Sequence, residues 1–111
     1  MAKYEKAIKG DFNDIVRHLE KDIGNSAISM NLVDESNYSY SGMKVAVRVY
    51  DKYFMRNGNR ASLSVTVVGH DSYIFVSAIG AGGGQGIFFN FSLGAEDDMV
   101  ALVRDSIAKI K

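Results

Sequence analysis

Arg48, Tyr50, Tyr53, Arg60, Ser62, Ser64 and Thr66 come nearest to a binding chemistry in this chain. A guanidinium flanked by phenols and hydroxyls holds a carboxylate or phosphate through paired, charge-assisted hydrogen bonds. Two adjacent strands would bring many of these residues onto one face, although a solvated sheet face with ordinary cross-strand pairs has the same pattern. The run Gly80-Ala81-Gly82-Gly83-Gly84-Gln85-Gly86 raises phosphate binding, because the backbone N–H groups of glycine loops cradle anions. Its details point elsewhere. No Gly-Lys-Ser/Thr ending follows, Gln85 breaks the G-x-G-x-x-G spacing, and the run leads into a predicted strand where those motifs require a helix N-terminus. It reads first as a hairpin connection and second as a lid or anion contact.

Nucleophilic and metal chemistry have less to draw on. Cysteine is absent, which removes disulfides, Cys-ligated zinc, iron–sulfur clusters and a thiol nucleophile. His18 has Asp14 and Asp22 four residues to either side on a predicted helix, the spacing of a surface charge partner. His70 stands beside Asp71 and Ser72, but adjacency along a turn is not triad geometry. Neither histidine has a third ligand near it in sequence, so no metal site is expected. Asp97 and Asp98 suit a helix N-terminus, and Asp34 and Glu35 suit a turn. No catalytic residue and no cofactor is expected, and an enzyme is the least supported class.

Composition narrows the partners. Thirteen basic residues balance thirteen acidic ones, so the long-range field that draws a protein to phosphate backbones is missing and nucleic acid is not expected. The opening Met-Ala-Lys-Tyr-Glu-Lys has no apolar signal region, and no apolar run approaches the roughly 18 residues of a membrane span. A cytoplasmic protein is the expectation. At 111 residues, 47% hydrophobic and 23% charged, the chain fits one globular domain, 1–111. Proline is absent, so turns must be read from glycine, asparagine and aspartate.

The elements that would position these residues follow from periodicity. Residues 3–8 read as a strand and Asp11 as a helix N-cap. Phe12, Ile15, Val16, Leu19 and Ile23 then form one buried helical face, stopped by Gly24. Alternation predicts a strand over 27–33 with a turn at 34–37. After Gly42 the valines at 45, 47 and 49 share one parity, and Asp51 falls on it. Asn57-Gly58 signals a hairpin into Ala61, Leu63, Val65 and Val67. A two-residue loop there would set the valine row against Ser64 and Thr66. An odd-length loop or a β-bulge near Asp51 removes that conflict and is the expected solution. Residues 73–79 are apolar on both parities and read as the sheet's central strand, with a further strand at 87–91. A last helix over 95–110 turns Met99, Leu102, Val103, Ser106 and Ile110 inward.

The fold expected is therefore α+β, an antiparallel sheet of about six strands in β-α-β-β-β-β-β-α order, packed against a C-terminal helix. This layout is similar to the helix-grip architecture, with one helix where that architecture usually has two, and the resemblance implies a cavity between sheet and helix. Over most of its length the chain resembles a family of small bacterial proteins classed as a domain of unknown function. The resemblance is carried by Ala46-Val47-Arg48-Val49-Tyr50, by Gly58-Asn59-Arg60 with Ser62, and by Gly83-Gly84-Gln85 before Phe88-Phe89. It implies kinship and no chemistry.

Two functions compete. One is a small-ligand-binding domain whose apolar pocket, lined by Phe75, Phe89, Phe91, Met99 and Val103, takes a small apolar ligand with Arg48, Tyr50 or Gln85 as polar anchors. Arg60 belongs to the same candidate set. The alternative is a homodimeric structural or regulatory interaction module using a sheet edge or face, with Tyr38, Tyr40, Tyr53 and Phe54 as surface aromatics. An exposed aromatic patch favours the second reading and burial of those aromatics undercuts it.

Overall fold

The computed structural model describes residues 2–27, 29–54, 58–82 and 95–110. The elements run β1 (Ala2–Lys9), α1 (Phe12–Gly24), β2 (Met30–Tyr40), β3 (Met43–Phe54), β4 (Asn59–His70), β5 (Tyr73–Gly82) and α2 (Ala95–Ala108). They form an α+β fold with one five-stranded antiparallel sheet in the order β1-β5-β4-β3-β2. The expectation was about six strands; the strand at 87–91 lies outside the described residues. Among those residues no helix is long and apolar enough to cross a membrane.

Helix α1 starts where Asp11, in extended conformation, accepts a hydrogen bond from the Asp14 N–H at 3.0 Å. Ile15, Val16, Leu19 and Ile23 are buried as the spacing predicts. Gly24 is still helical, and Asn25 is the cap. Helix α2 buries Met99, Val103 and Ser106 as expected, but also Val100 and Ile107, while Leu102 and Ile110 are only half-buried. It packs on β4, β5, β1 and α1 at once, so its buried arc is rotated and wider than a stripe facing one layer.

Both helices cover one face of the sheet. The inner residues include Ala46, Tyr50, Leu63, Val65, Val67, Ile74, Val76 and Ala78, all buried with Met99 and Val103 in one core. Fully burying such an aliphatic side chain contributes about 1.5–3 kcal/mol. Gly69 lets α1 approach this closely: a Cβ there would sit 2.7 Å from Phe12 Cδ1.

The hairpins correct three expectations. Residues 34–37 are not a turn; β2 runs on to Tyr40, and a register shift between Leu32 and Asp34 absorbs one residue. An edge strand can carry Asp34-Glu35-Ser36-Asn37 because these side chains stay in water. The turn is Ser41-Gly42, with φ of 52° and 86°, the left-handed pair that fits a two-residue hairpin. Between β3 and β4 no bulge occurs near Asp51: pairing is unbroken from Met43↔His70 to Phe54↔Asn59, with Val49 opposite Ser64 and Val47 opposite Thr66. The apolar row does meet a polar one. Val45, Val47 and Val49 point away from the helices, and Ala46, Arg48, Tyr50 and Phe54 align with the buried row of β4. Finally, β5 is second in the sheet and β4 is central. One side of β5 is buried, whereas Tyr73, Phe75 and Ile79 on the other side are exposed.

Candidate interaction surface

The residues singled out for binding divide between two faces of the sheet. Arg48 is on the inner face, 9% exposed, and its guanidinium is committed. Its Nε lies 2.6 Å from Glu20 Oε2 and 3.2 Å from Glu35 Oε1, and Nη1 donates to the carbonyls of Val47 at 2.9 Å and Ser36 at 3.3 Å. Arg48 thereby ties α1 and β2 to the middle of β3. Tyr50 is buried beside it, and burial, reinforced by the Glu20 charge, pushes its phenol above the usual range. Arg60 is on the other face, exposed, 3.2 Å from Asp51 Oδ2 and stacked over the Tyr53 ring. Ser62, Ser64 and Thr66 are half-buried on that outer face too.

Phe75 is also outward, 41% exposed, on the opposite side of the sheet from α2. Met99 and Val103 are packed in the core. Gln85, Phe89 and Phe91 lie outside the described residues. The arginine, phenol and hydroxyls therefore do not converge on one anion, and Phe75 does not line a space beneath α2.

A second polar cluster joins the helices. The Ser106 hydroxyl donates to Asp22 Oδ2 at 2.7 Å, and His18 Nε2 lies 2.9 Å from the Ser106 carbonyl and 3.4 Å from Asp22. A carbonyl only accepts, so Nε2 carries the proton. Lys109 approaches the same carboxylate at 3.6 Å. The Ser106 hydrogen bond foremost, then the Lys109 and His18 charges, hold the Asp22 carboxyl below its ordinary range against the opposing effect of burial. A serine that donates to the aspartate, with no imidazole positioned to take its proton, is a strut between helices and not a nucleophile. The α1 spacing identifies His18 and Asp22 as neighbours, but nothing in the sequence places Ser106 against them.

The outer face has the most unsatisfied surface among the described residues. Tyr38, Tyr40, Met43, Tyr73, Phe75 and Ile79 are 40–71% exposed, with half-buried valines between them. Cross-strand register orders them into rows across the whole sheet. One row is Tyr38, Val45, Val68, Phe75 and Ala7; beside it runs Tyr40, Met43, His70, Tyr73 and Lys9. Two further rows are more polar: Ser36, Val47, Thr66, Ser77 and Glu5, then Asp34, Val49, Ser64, Ile79 and Lys3. Of the four expected surface aromatics, Tyr38, Tyr40 and Tyr53 are exposed; Phe54 is buried beneath the Lys52 ammonium. Val45 and Val68 were missed and Phe75 was assigned to a pocket, although the valine parity of β3 and the two-sided apolarity of β5 carried a signal for this face.

Among the described residues, both edges of the sheet are guarded. Lys3, Lys6 and Lys9 line β1, and β2 carries acidic residues and the register shift. Charge and irregularity of this kind disfavour strand addition, so the face is the more available surface.

A solved structure similar to this chain is the crystal structure of TTHA0849 from Thermus thermophilus, 11% identical, covering 99% of both chains with a TM-score of 0.31. No curated protein matches. The family comparison is decisive where these are not: it matches residues 1–111, and the chain belongs to the family of unknown function DUF6054.

Proposed function

We propose that this chain is a cytoplasmic protein-interaction module whose working surface is the open face of its sheet. The observation that carries this is the contiguous apolar row Tyr38, Val45, Val68, Phe75 and Ala7, on the face that both helices leave bare and that no described element covers. Contiguous exposed apolar surface marks sites of interaction. Exposed tyrosine, phenylalanine and methionine are the residue types enriched at interfaces.

The helix-grip-like layout supports the same reading: α2 lies across β4, β5 and β1, and its contacts occupy the inner face. A pocket for a small apolar ligand has weaker support, because Arg48 is engaged by Glu20 and Glu35 and Phe75 faces outward.

The test is site-specific photocrosslinking. Benzoylphenylalanine at Tyr38 or Tyr73 is expected to form a discrete protein adduct, whereas the same group at Arg17 or Arg104, exposed on the helices, forms none. Equal labelling from both faces, or none from the sheet, refutes the proposal.

A further inference from the structure

Resting on that interaction reading, we propose that the partner is a second copy of this chain, stacked face to face about a two-fold axis parallel to β4. Rotation about such an axis keeps each row at its level and reverses the strand order. β4 then faces itself, β3 faces the partner's β5, and β2 faces the partner's β1. Three of the four rows are self-complementary under this operation, and the remaining one sets Val47 against Ser77 and Ser36 against Glu5. Val45 meets Phe75, Val49 meets Ile79, Met43 meets Tyr73, and Val68 meets its own copy. At the edges, Lys3 faces Asp34 and Lys9 faces Tyr40, pairing opposite charges and a cation with an aromatic ring.

The other two-fold that brings the faces together, perpendicular to the strands, fails on the same rows when it passes midway between them. It sets Lys3 against Lys9 and Tyr40 against Asp34, like charge on like charge and ring on carboxylate. Aligned sheets cross at about 30°, which displaces the edge strands, about 9.6 Å from the axis, by about 5 Å or one and a half residues, within a lysine's reach. Five strands about 4.8 Å apart, each running about eight residues at about 3.3 Å with every second side chain outward, offer about 600 Å² before aromatic side chains are counted. A stable interface takes roughly 800 Å² from each partner. The flat footprint falls about a quarter short of a standard interface, and the projecting aromatic side chains must supply the rest. Each of the two copies would also cover the other's valine rows, the part of the surface that gains least from water.

Sedimentation equilibrium combined with thiol crosslinking tests the arrangement, because the chain has no cysteine of its own. The expected result is a dimer. Thr66→Cys, at the axis, is joined to its own copy by a short bismaleimide that spans stacked sheets about 10 Å apart. Lys3→Cys crosslinks only when mixed with Asp34→Cys. Tyr73→Lys and Phe75→Lys, at exposed positions where folding is little affected, each shift the protein to monomer with an unchanged circular dichroism spectrum. Lys3→Glu weakens the dimer at least tenfold, and adding Asp34→Lys restores it. A dimer in which Thr66→Cys does not self-link overturns the axis. A monomer whose Tyr38 photocrosslinks to a different protein overturns the second copy and keeps the interaction reading. A monomer with no crosslink from the sheet overturns both.

Discussion

Replacing Arg48 by methionine separates a structural clamp from a ligand anchor. The substitution keeps most of the buried aliphatic volume and removes the guanidinium, which holds Glu20 at 2.6 Å, Glu35 at 3.2 Å and two backbone carbonyls. Losing one partner of a fully buried ion pair costs about 3–5 kcal/mol. Here the Glu20 and Glu35 side chains are 37% and 50% exposed, so both carboxylates regain water and solvent screening reduces the loss. About 2–3 kcal/mol is expected, mostly from the Glu20 pair, with a smaller part from the hydrogen bonds to the Ser36 and Val47 carbonyls. Urea denaturation read by circular dichroism gives the change, and a roughly 10 °C fall in Tm accompanies it. A double-mutant cycle with Glu20→Gln is expected to yield a coupling above about 1 kcal/mol, and one with Glu35→Gln about half of that. An unchanged midpoint for Arg48→Met, or a Glu35 coupling equal to or larger than the Glu20 coupling, would refute the reasoning.

Three other outcomes follow from local geometry. The folded Asp22 carboxyl titrates below its ordinary value of 3.8, so its stabilisation is present above that pH and is lost as pH falls through the folded pKa. Asp22→Asn is therefore expected to flatten the acid limb of stability against pH below about pH 4, measured by urea midpoints. Gly69→Ala is expected to destabilise by about 1–3 kcal/mol, because its Cβ meets the Phe12 ring at 2.7 Å; Phe12→Leu in the same chain recovers part of the loss if that contact is the cause. Ser41, at φ 52°, holds a left-handed conformation that costs a non-glycine residue about 1 kcal/mol. Ser41→Gly should leave thermal stability equal or higher, and a clear fall in Tm would count against the turn as described.

How much of this was legible differs element by element. Helix α1 was readable almost to the residue, because its N-cap and its apolar spacing are local and agree with each other. The β3–β4 hairpin was readable as a hairpin but not in its facing. Val45, Val47 and Val49 are the more apolar row, so alternation alone assigns them to the core, yet the helices pack on Ala46, Arg48, Tyr50 and Phe54. Arg48 and Tyr50 also illustrate why a polar set on paper is not a site. Neighbours along β3 looked continuous with Arg60 and the β4 hydroxyls, but strand pleating sends the two parities to opposite sides of the sheet. The β2 edge hid its length because an exposed edge strand needs no alternation to be stable, and its polar middle imitates a turn.

By itself the sequence determined the order of the described elements, the helix-forming segments, the antiparallel character of the hairpins and the family. These depend on local spacing, turn chemistry and composition, which the chain carries without reference to its folded partners. Only the tertiary structure decided which face of the sheet the helices cover, that Arg48 belongs to Glu20 and Glu35, that Ser106 meets Asp22, and that Phe75 faces outward with Val45 and Val68. Each depends on which side of a pleated surface two distant helices settle, and the best-filled core wins that choice over the most apolar row.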